Sequence, residues 1–247
     1  MTSLGSPDQW ADFIETQVPD ILALVIETWE AMPSPAGDEL EDVVSQALCR
    51  ALRQSRNRCE LPFRIDTQLV ELDPAAGQDQ GRMDIVFSPM VPRESIYFAL
   101  ECKRLHVRGG NGIRPYYAEY IRFGMLRFVQ GQYASAVRHG GMLAFVLDGN
   151  TSGAVAGVEG NIRTNLTGLG MDAPGGLQAS TERPGDDRVR ETRHQRNGQM
   201  VPFVIQHLFM AGDPNAPLRP ATPVPASKDA SKEATKKTTK RQSRKKR

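Results

Sequence analysis

Apolar residues at helical spacing occupy the N-terminal part of the chain. From about Pro7 to Glu30 they recur at intervals of three and four positions, which predicts a helix that Pro19 kinks or divides. The stretch MPSPAG at 32–37 interrupts this pattern, and Asp38 is suited to cap a second helix. The apolar stripe of that helix is expected to contain Leu40, Val43, Val44, Ala47, Leu48 and Ala51.

The next part of the chain has the pattern of strands. FRIDTQLVEL at 63–72, GRMDIVFSP at 81–89 and SIYFALECKRL at 95–105 are rich in β-branched and aromatic residues and are separated by turn-forming segments. After the glycine-rich RGGNG, a helix is predicted from about Tyr116 to Arg138. Three strands followed by a helix indicate an antiparallel meander that precedes a crossover connection.

The remaining pattern completes an α/β fold. GMLAFVLDG at 141–149 reads as a buried strand, a helix is expected over about 151–165, and 168–184 is loop-like. RVRETRHQ at 188–195 and MVPFVIQHLFM at 200–210 are predicted to be the final strands. The element order predicts an α/β protein in which helices flank a central mixed sheet.

Charge divides the chain into an acidic body and a basic tail. Residues 213–247 contain eleven Lys or Arg and three acidic residues, a charge of +8, which leaves −6 for the rest of a protein whose net charge is +2. The tail is poor in large apolar residues and is predicted to be disordered. It would attract nucleic-acid phosphates or act only as a solubilising segment. The domain prediction is a helical segment at 1–37, a main domain at 38–212 and this tail.

Other compositional features narrow the class of protein. The three scattered cysteines, Cys49, Cys59 and Cys102, argue against a zinc site or a disulfide framework. The first residues, MTSLGSPDQWADF, are polar and acidic, unlike a signal peptide, and the aliphatic run ILALVI is too short to span a membrane. A cytoplasmic protein without membrane contact is therefore expected.

Candidate chemistry lies on the second and third predicted strands. Asp84 is flanked by Met83 and Ile85, where an acidic residue is unexpected, and Glu101 and Lys103 share one face of a strand. If the two strands pair antiparallel, Asp84 and Glu101 approach each other, and Mg²⁺ or Mn²⁺ would relieve their repulsion. A lysine beside such an ion can orient water or stabilise charge on a phosphate. The pattern predicts a site for phosphodiester hydrolysis.

GRMDIVF followed by FALECKRL resembles the PD-(D/E)xK nuclease superfamily, the restriction-endonuclease-like fold. The resemblance implies a core of one helix, three antiparallel strands, a crossover helix and a further strand. It also implies that Asp84 is the principal metal ligand, that Glu101 is a second metal ligand, and that Lys103 positions the attacking water or the scissile phosphate. Met83 stands where the motif has its proline.

Many members of that superfamily add a glutamate from the first core helix. Glu39 is the preferred candidate for this role because it borders the predicted apolar stripe at Leu40 and Val43. Glu41 borders the other edge of the stripe and is the second choice, whereas Asp42 falls on the opposite, solvated face.

The segment YYAEYIRFGMLRFVQGQYASAV is similar to the helix that follows the lysine in a subset of these nucleases among bacterial defence proteins. This resemblance implies cleavage of invading DNA, as a homodimer or within a larger defence complex. Arg127, Tyr120 and Arg104 are candidate substrate-binding residues. Arg127 and Tyr120 would contact a phosphate or support Lys103, or else lie on a solvated helix face.

Several features keep alternative interpretations open. RGGNG would bring backbone amides to a phosphate or form a simple turn, and His194 would touch a nucleic-acid backbone or lie at an exposed strand end. His207 is expected to be a hydrogen-bonded core histidine. The main functional hypothesis is a Mg²⁺-dependent DNA endonuclease. Its rivals are an inactive nuclease-like module that binds nucleic acid and a component that assembles through its N-terminal helix.

Overall fold

The computed structural model describes residues 7–59, 61–90, 95–196 and 198–220, and the basic tail from 221 onwards lies outside these ranges. Helix α1 spans Pro7–Thr16 and α2 spans Val18–Ala31, so the predicted N-terminal helix is indeed divided. Pro19 lies in the first turn of α2, where no backbone N–H is needed for an intrahelical hydrogen bond. Helix α3 spans Glu41–Cys59.

Seven strands form the central sheet. They are β1 Phe63–Val70, β2 Arg82–Pro89, β3 Phe98–Leu105, β6 His139–Val146, β7 Gln178–Ala179, β8 Val189–His194 and β9 Phe203–Ala211. A separate hairpin pairs β4 Val107–Gly109 with β5 Gly112–Arg114. RGGNG therefore forms the turn of a hairpin, and the hairpin's two short strands were not predicted.

The sheet is mixed, with the strand order β1-β2-β3-β6-β9-β8-β7. The antiparallel meander β1-β2-β3 is followed by the parallel neighbours β6 and β9, and β8 and β7 then pair antiparallel. Strands β3, β6 and β9 are buried almost throughout, as expected for parallel strands covered on both faces. The predicted α/β class with a mixed sheet flanked by helices is confirmed.

The crossover between β3 and β6 contains an interrupted helix. Helix α4, Tyr117–Tyr120, continues into a π-helical turn at Ile121–Met125 and then into α5, Leu126–Val129. The helix predicted to reach Arg138 ends at Val129, because Gly131 takes a left-handed conformation with φ 72° that stops it. Helix α6, Thr151–Thr164, begins where the Asn150 side chain accepts a hydrogen bond from the Gly153 N–H.

The two helices of the N-terminal segment pack into the core of the main domain. Trp29 of α2 stacks on Phe145 of β6 with 5.2 Å between ring centroids, and its Nε1 donates to the Ala211 carbonyl at 2.8 Å. One cluster of buried apolar side chains joins α1 and α2 to the sheet. Within the described ranges, no helix combines the length and apolar character needed to cross a membrane.

The first residues assigned to the disordered tail are also ordered against the body. Gly37 donates its backbone N–H to the Pro217 carbonyl at 3.1 Å, and the Arg219 N–H donates to Asp38 Oδ1 at 2.7 Å. The chain thus stays attached to the loop before α3 as far as Pro220. The prediction of a tail beginning at 213 needs correction for residues 213–220.

The buried stripe of α3 differs from the predicted one. Leu40 and Val43 are 45% and 48% exposed, whereas the buried residues between 41 and 56 of this helix are Val44, Ser45, Leu48, Cys49 and Leu52. The true stripe is therefore rotated relative to the expected one. As a result, the face that meets the sheet includes position 41 rather than position 39.

Candidate active site

Asp84 lies where the pairing between β2 and β3 ends. The paired residues stop at Ile85 and Leu100, and the Asp84 Oδ2 atom accepts the N–H of Cys102 at 2.8 Å. The Oδ1 atom accepts from the Gln68 side chain at 3.1 Å. Burial raises the pKa of Asp84, while the ammonium of Lys103 opposes this shift. The carboxylate is thus fixed in place by a neighbouring backbone.

Glu101 is the most deeply buried acidic group of the site, with 1% of its surface exposed. Its Oε1 atom accepts from Lys103 Nζ at 2.9 Å and from Arg127 Nη1 at 2.8 Å. Its Oε2 atom is buried and has no hydrogen-bond partner among the described residues. Burial raises the pKa of Glu101 to about 7, although Lys103 and Arg127 lower it. One acceptor atom in this site is therefore unsatisfied.

Lys103 lies between two carboxylates on the same side of the sheet. Its Nζ atom donates to Glu101 Oε1 and to Glu41 Oε1, each at 2.9 Å, and to the Cys102 carbonyl at 2.7 Å. Burial lowers the pKa of Lys103, but the carboxylates of Glu101, Glu41 and Asp84 raise it by more. The side chain remains a cation at the centre of the cluster.

The helix glutamate that reaches this cluster is Glu41, the second choice, and not the preferred Glu39. Besides its contact with Lys103, Glu41 accepts the Arg104 N–H through Oε2 at 3.1 Å. The Glu39 carboxylate accepts the Leu40 N–H at 3.0 Å and lies 3.7 Å from Arg219 Nε, away from Lys103. The prediction of Glu39 was wrong because Leu40 and Val43, which it borders, do not belong to the buried stripe.

Arg127 reaches the cluster from the crossover helix. Its Nη1 atom donates to Glu101 and, at 2.9 Å, to the hydroxyl of Tyr133, which in turn donates to the Arg82 carbonyl at 2.7 Å. The π-helical turn brings Gly124 against Glu101, where a Cβ atom would lie 2.3 Å from the Met142 side chain. Sequence reasoning did not assign Tyr133 to the site. Its only signal was the Gly-x-Tyr that follows Arg127.

Two other predicted substrate-binding residues have different roles. Tyr120 is fully buried, and its hydroxyl is 2.9 Å from His207 Nδ1, so it cannot contact a phosphate in this structure. Arg104 donates to the Glu39 carbonyl at 2.7 Å, and its guanidinium lies 5.8 Å from the Tyr116 ring centroid. The Arg104 side chain therefore binds the loop before α3.

The two histidines of the last strands are both buried. His207 lies between Tyr120 and Thr192, and its prediction as a hydrogen-bonded core residue is confirmed. His194 was expected at a nucleic-acid contact or an exposed strand end. It is instead fully buried, with Nδ1 2.7 Å from the Leu169 carbonyl. The basic neighbours of His194 in the sequence gave no information about its own burial.

The donor set is compatible with a small, hard cation. Among the described residues, no group of three or more His, Cys, Asp or Glu side chains is arranged to hold a metal ion. Asp84, Glu101 and the Cys102 carbonyl nevertheless supply oxygen ligands of the kind Mg²⁺ prefers, and Glu101 Oε2 is an unused one. In this structure Lys103 donates to Glu101 and to the Cys102 carbonyl. If a cation bound those two oxygens, Glu41 would still hold the Lys103 ammonium.

Comparison with known proteins identifies no relative of this protein. No family model matches the sequence, and no match is found among curated proteins or solved structures. The molecule is thus an α/β protein with a buried cluster of carboxylates, a lysine and an arginine at the end of its antiparallel meander. The resemblance to PD-(D/E)xK nucleases remains a prediction from sequence.

Proposed function

We propose that this protein is a metal-dependent nuclease of the restriction-endonuclease-like type that hydrolyses phosphodiester bonds in DNA. The observation that carries the proposal is the buried, unpartnered Oε2 atom of Glu101, beside Asp84 and Lys103 on adjacent strands. An unsatisfied buried carboxylate oxygen is costly, and a bound ion or water, or a catalytic role, is among the reasons that such an atom is kept.

Each residue of the cluster has a role in this proposal. Asp84 and Glu101 would hold Mg²⁺ or Mn²⁺, which when bound polarises a phosphate oxygen and lowers the pKa of water. Lys103, kept protonated and held by Glu41, orients the attacking water or neutralises a phosphate oxygen. Arg127, whose side chain is 34% exposed, provides a second cation at the opening of the cluster.

The biological context proposed here is cleavage of invading DNA, as a homodimer or within a larger defence complex. This part rests on the likeness of the ECKRL strand and the helix after it to defence-associated nucleases.

A second candidate function is an inactive nuclease-like module that binds nucleic acid. The observation that favours it is the position of Lys103, whose ammonium already forms ion pairs with both Glu101 and Glu41. A cluster with an internal cation can be stable without a metal ion. In that case the basic tail would supply most of the affinity through phosphate contacts.

The test is cleavage of plasmid and linear DNA with Mg²⁺ or Mn²⁺, using wild type, Asp84→Asn, Lys103→Ala and Glu41→Gln. We expect the cleavage rate of each of the three variants to fall by more than about 100-fold. This is a larger loss than is usual for a residue that only hydrogen-bonds to a metal ligand. The matched control, Glu39→Gln, should stay within about twofold because its carboxylate is outside the cluster.

The alternative makes a different prediction in the same assay. If wild type binds DNA in a salt-dependent manner but cleaves none, the inactive module becomes the better interpretation. If Glu39→Gln abolishes cleavage while Glu41→Gln does not, the assignment of the helix glutamate is wrong.

A further inference from the structure

The β4–β5 hairpin projects from the strand that carries Glu101 and Lys103. Its base is closed by a hydrogen bond from the His106 N–H to the Pro115 carbonyl at 3.4 Å. His106, at φ 54°, is held by two further contacts: Nδ1 lies 2.9 Å from Asp148 Oδ1, and Nε2 lies 2.6 Å from the Tyr117 hydroxyl. The hairpin is therefore an arm with a fixed base next to the candidate active site.

Two arginines lie over one tyrosine ring at this arm. The guanidinium carbons of Arg104 and Arg114 are 5.8 and 5.0 Å from the centroid of the Tyr116 ring. Arg104 is already bonded to the Glu39 carbonyl. Arg114 is exposed and forms no ion pair within the part of the chain that the structure describes. Arg114 is thus an oriented cation that is free to bind an external anion.

The arm is continuous with the start of the basic tail. The Arg108 N–H donates to the Gly37 carbonyl at 2.9 Å, and the Arg108 guanidinium donates to the Pro214 carbonyl. Residues 213–220 therefore run between the hairpin and the loop before α3. The tail, which carries eleven Lys or Arg after residue 212, therefore begins beside the arm and the loop before α3.

We propose that the β4–β5 hairpin is a nucleic-acid-binding arm in which Arg114 contacts a backbone phosphate next to the scissile bond. A guanidinium presents a planar fork that matches two phosphate oxygens, and contact with a ring limits the freedom it loses on binding. Ile113, 55% exposed beside Arg114, offers an apolar contact for a sugar or base. The partner is identified by charge and by continuity with the tail.

The inference rests on the proposed function only in taking nucleic acid as the ligand, so its test separates binding from cleavage. Binding of a fluorescein-labelled DNA duplex and of a single strand is measured in EDTA over a series of salt concentrations. The variants are Arg114→Ala, Arg114→Lys and, as a matched control, Arg50→Ala. Arg50 is an exposed residue of α3, about two and a half turns from Glu41 and on the opposite side of the helix.

For Arg114→Ala, loss of one charge-assisted contact should raise the Kd about tenfold. The slope of log K against log salt should fall by about 0.9 on duplex, or about 0.7 on a single strand. Arg114→Lys should keep the slope while losing part of the affinity, and Arg50→Ala should match wild type. In cleavage assays Arg114→Ala should raise KM and leave kcat unchanged.

The outcomes distinguish this inference from the proposed nuclease activity. If the slope changes as expected but no preparation cleaves DNA, the arm is supported and the nuclease proposal fails. If Arg114→Ala binds with wild-type affinity and slope, or if wild type does not bind DNA, the arm is overturned even where cleavage is seen. An acidic polypeptide and unlabelled DNA are also compared as competitors at the same concentration of negative charge. If the two compete equally well, the nucleic-acid arm is overturned in favour of a protein partner.

Discussion

Two buried polar clusters in this protein are built on opposite principles. One is the charged cluster of Asp84, Glu101, Lys103 and Glu41, at the end of the meander. The other, which we call the histidine chain, runs from Tyr120 through His207, Thr192 and His194 to the Leu169 carbonyl. Each crosses between elements distant in sequence, yet only the second satisfies all of its polar atoms.

The hydrogen-bond donors of the histidine chain can be assigned in one direction. A carbonyl only accepts, so His194 Nδ1 carries a proton and its Nε2 accepts from the Thr192 hydroxyl. That hydroxyl oxygen then accepts from His207 Nε2, and His207 Nδ1 accepts from the Tyr120 hydroxyl. Every group is neutral and every side-chain donor has an acceptor. The histidine chain is therefore complete without a ligand, and its contribution is to the stability of the fold.

The charged cluster has the reverse character. It holds three carboxylates, which outnumber the two cations Lys103 and Arg127, and Glu101 Oε2 has no partner among the described residues. Burial without full satisfaction is destabilising, and it is tolerated where a ligand completes the set. The comparison teaches that unmet charge, rather than burial of polar groups as such, distinguishes the candidate site.

The largest expected effect on stability comes from breaking the histidine chain at its shared hydroxyl. Thr192→Val keeps the shape of the side chain but leaves two imidazole nitrogens without partners. We expect the free energy of unfolding to fall by roughly 2–6 kcal/mol, about 1–3 for each nitrogen. Urea denaturation measures it, with Thr67→Val, at a half-buried position of β1, as the control. If Thr192→Val and Thr67→Val lower the free energy of unfolding equally, the hydrogen bonds of the histidine chain do not stabilise the fold.

Replacing Glu101, which carries the unsatisfied carboxylate oxygen, should increase the stability of the protein. Glu101→Gln eliminates a buried charge whose pKa is raised to about 7 by burial, so at pH 8 the protein should gain on the order of 1–3 kcal/mol. The variant should also lose the increase in Tm that Mg²⁺ gives wild type. Denaturation with and without Mg²⁺ measures both effects. A destabilised variant that still responds to Mg²⁺ would contradict the role given to Glu101.

The smallest expected effect is on pH dependence, where the two clusters act in opposite directions. Burial lowers the pKa of His194 to about 4 from 6.5, so the unfolded chain binds more protons in that window and stability falls as pH decreases from 6.5 to 4. The raised pKa of Glu101 has the reverse sign between 4.5 and 7. Glu101→Gln should therefore steepen the loss of stability on acidification by at most about 1.4 kcal/mol per pH unit.

Urea denaturation of wild type and Glu101→Gln from pH 7 to 4.5 measures this difference. Equal slopes for the two proteins would show that the Glu101 carboxyl does not titrate as its burial implies.

Local pattern was sufficient for most of the elements. Alternating and continuous apolar runs located β1, β2, β3 and β6, because strand periodicity is a property of neighbouring residues. The same periodicity placed Glu101 and Lys103 on one face, as observed. It could not show the π-helical turn at Ile121–Met125, where Gly124 packs against Met142. Nor could it show the end of the helix at Val129, where Gly131 is left-handed and lies against Ala75.

The site was predictable in part for the same reason. Strand alternation and antiparallel pairing predicted that Asp84 lies beside the strand of Glu101, where it accepts the Cys102 N–H. The choice between Glu39 and Glu41 depended on which face of α3 meets the sheet. Apolar or small residues occur at seven of the ten positions from 40 to 49, so more than one stripe is possible and only packing selects one of them.

The residues alone determine the α/β class, the strand that carries Glu101 and Lys103, and the positive charge of the tail, because each is a property of adjacent positions. Tertiary packing decided which polar residues are buried and what they contact. It placed Tyr120 and His194 in a neutral chain, Arg127 on Glu101, and Arg114 over Tyr116. Such contacts join residues far apart in the chain, so their free energy has no local signature.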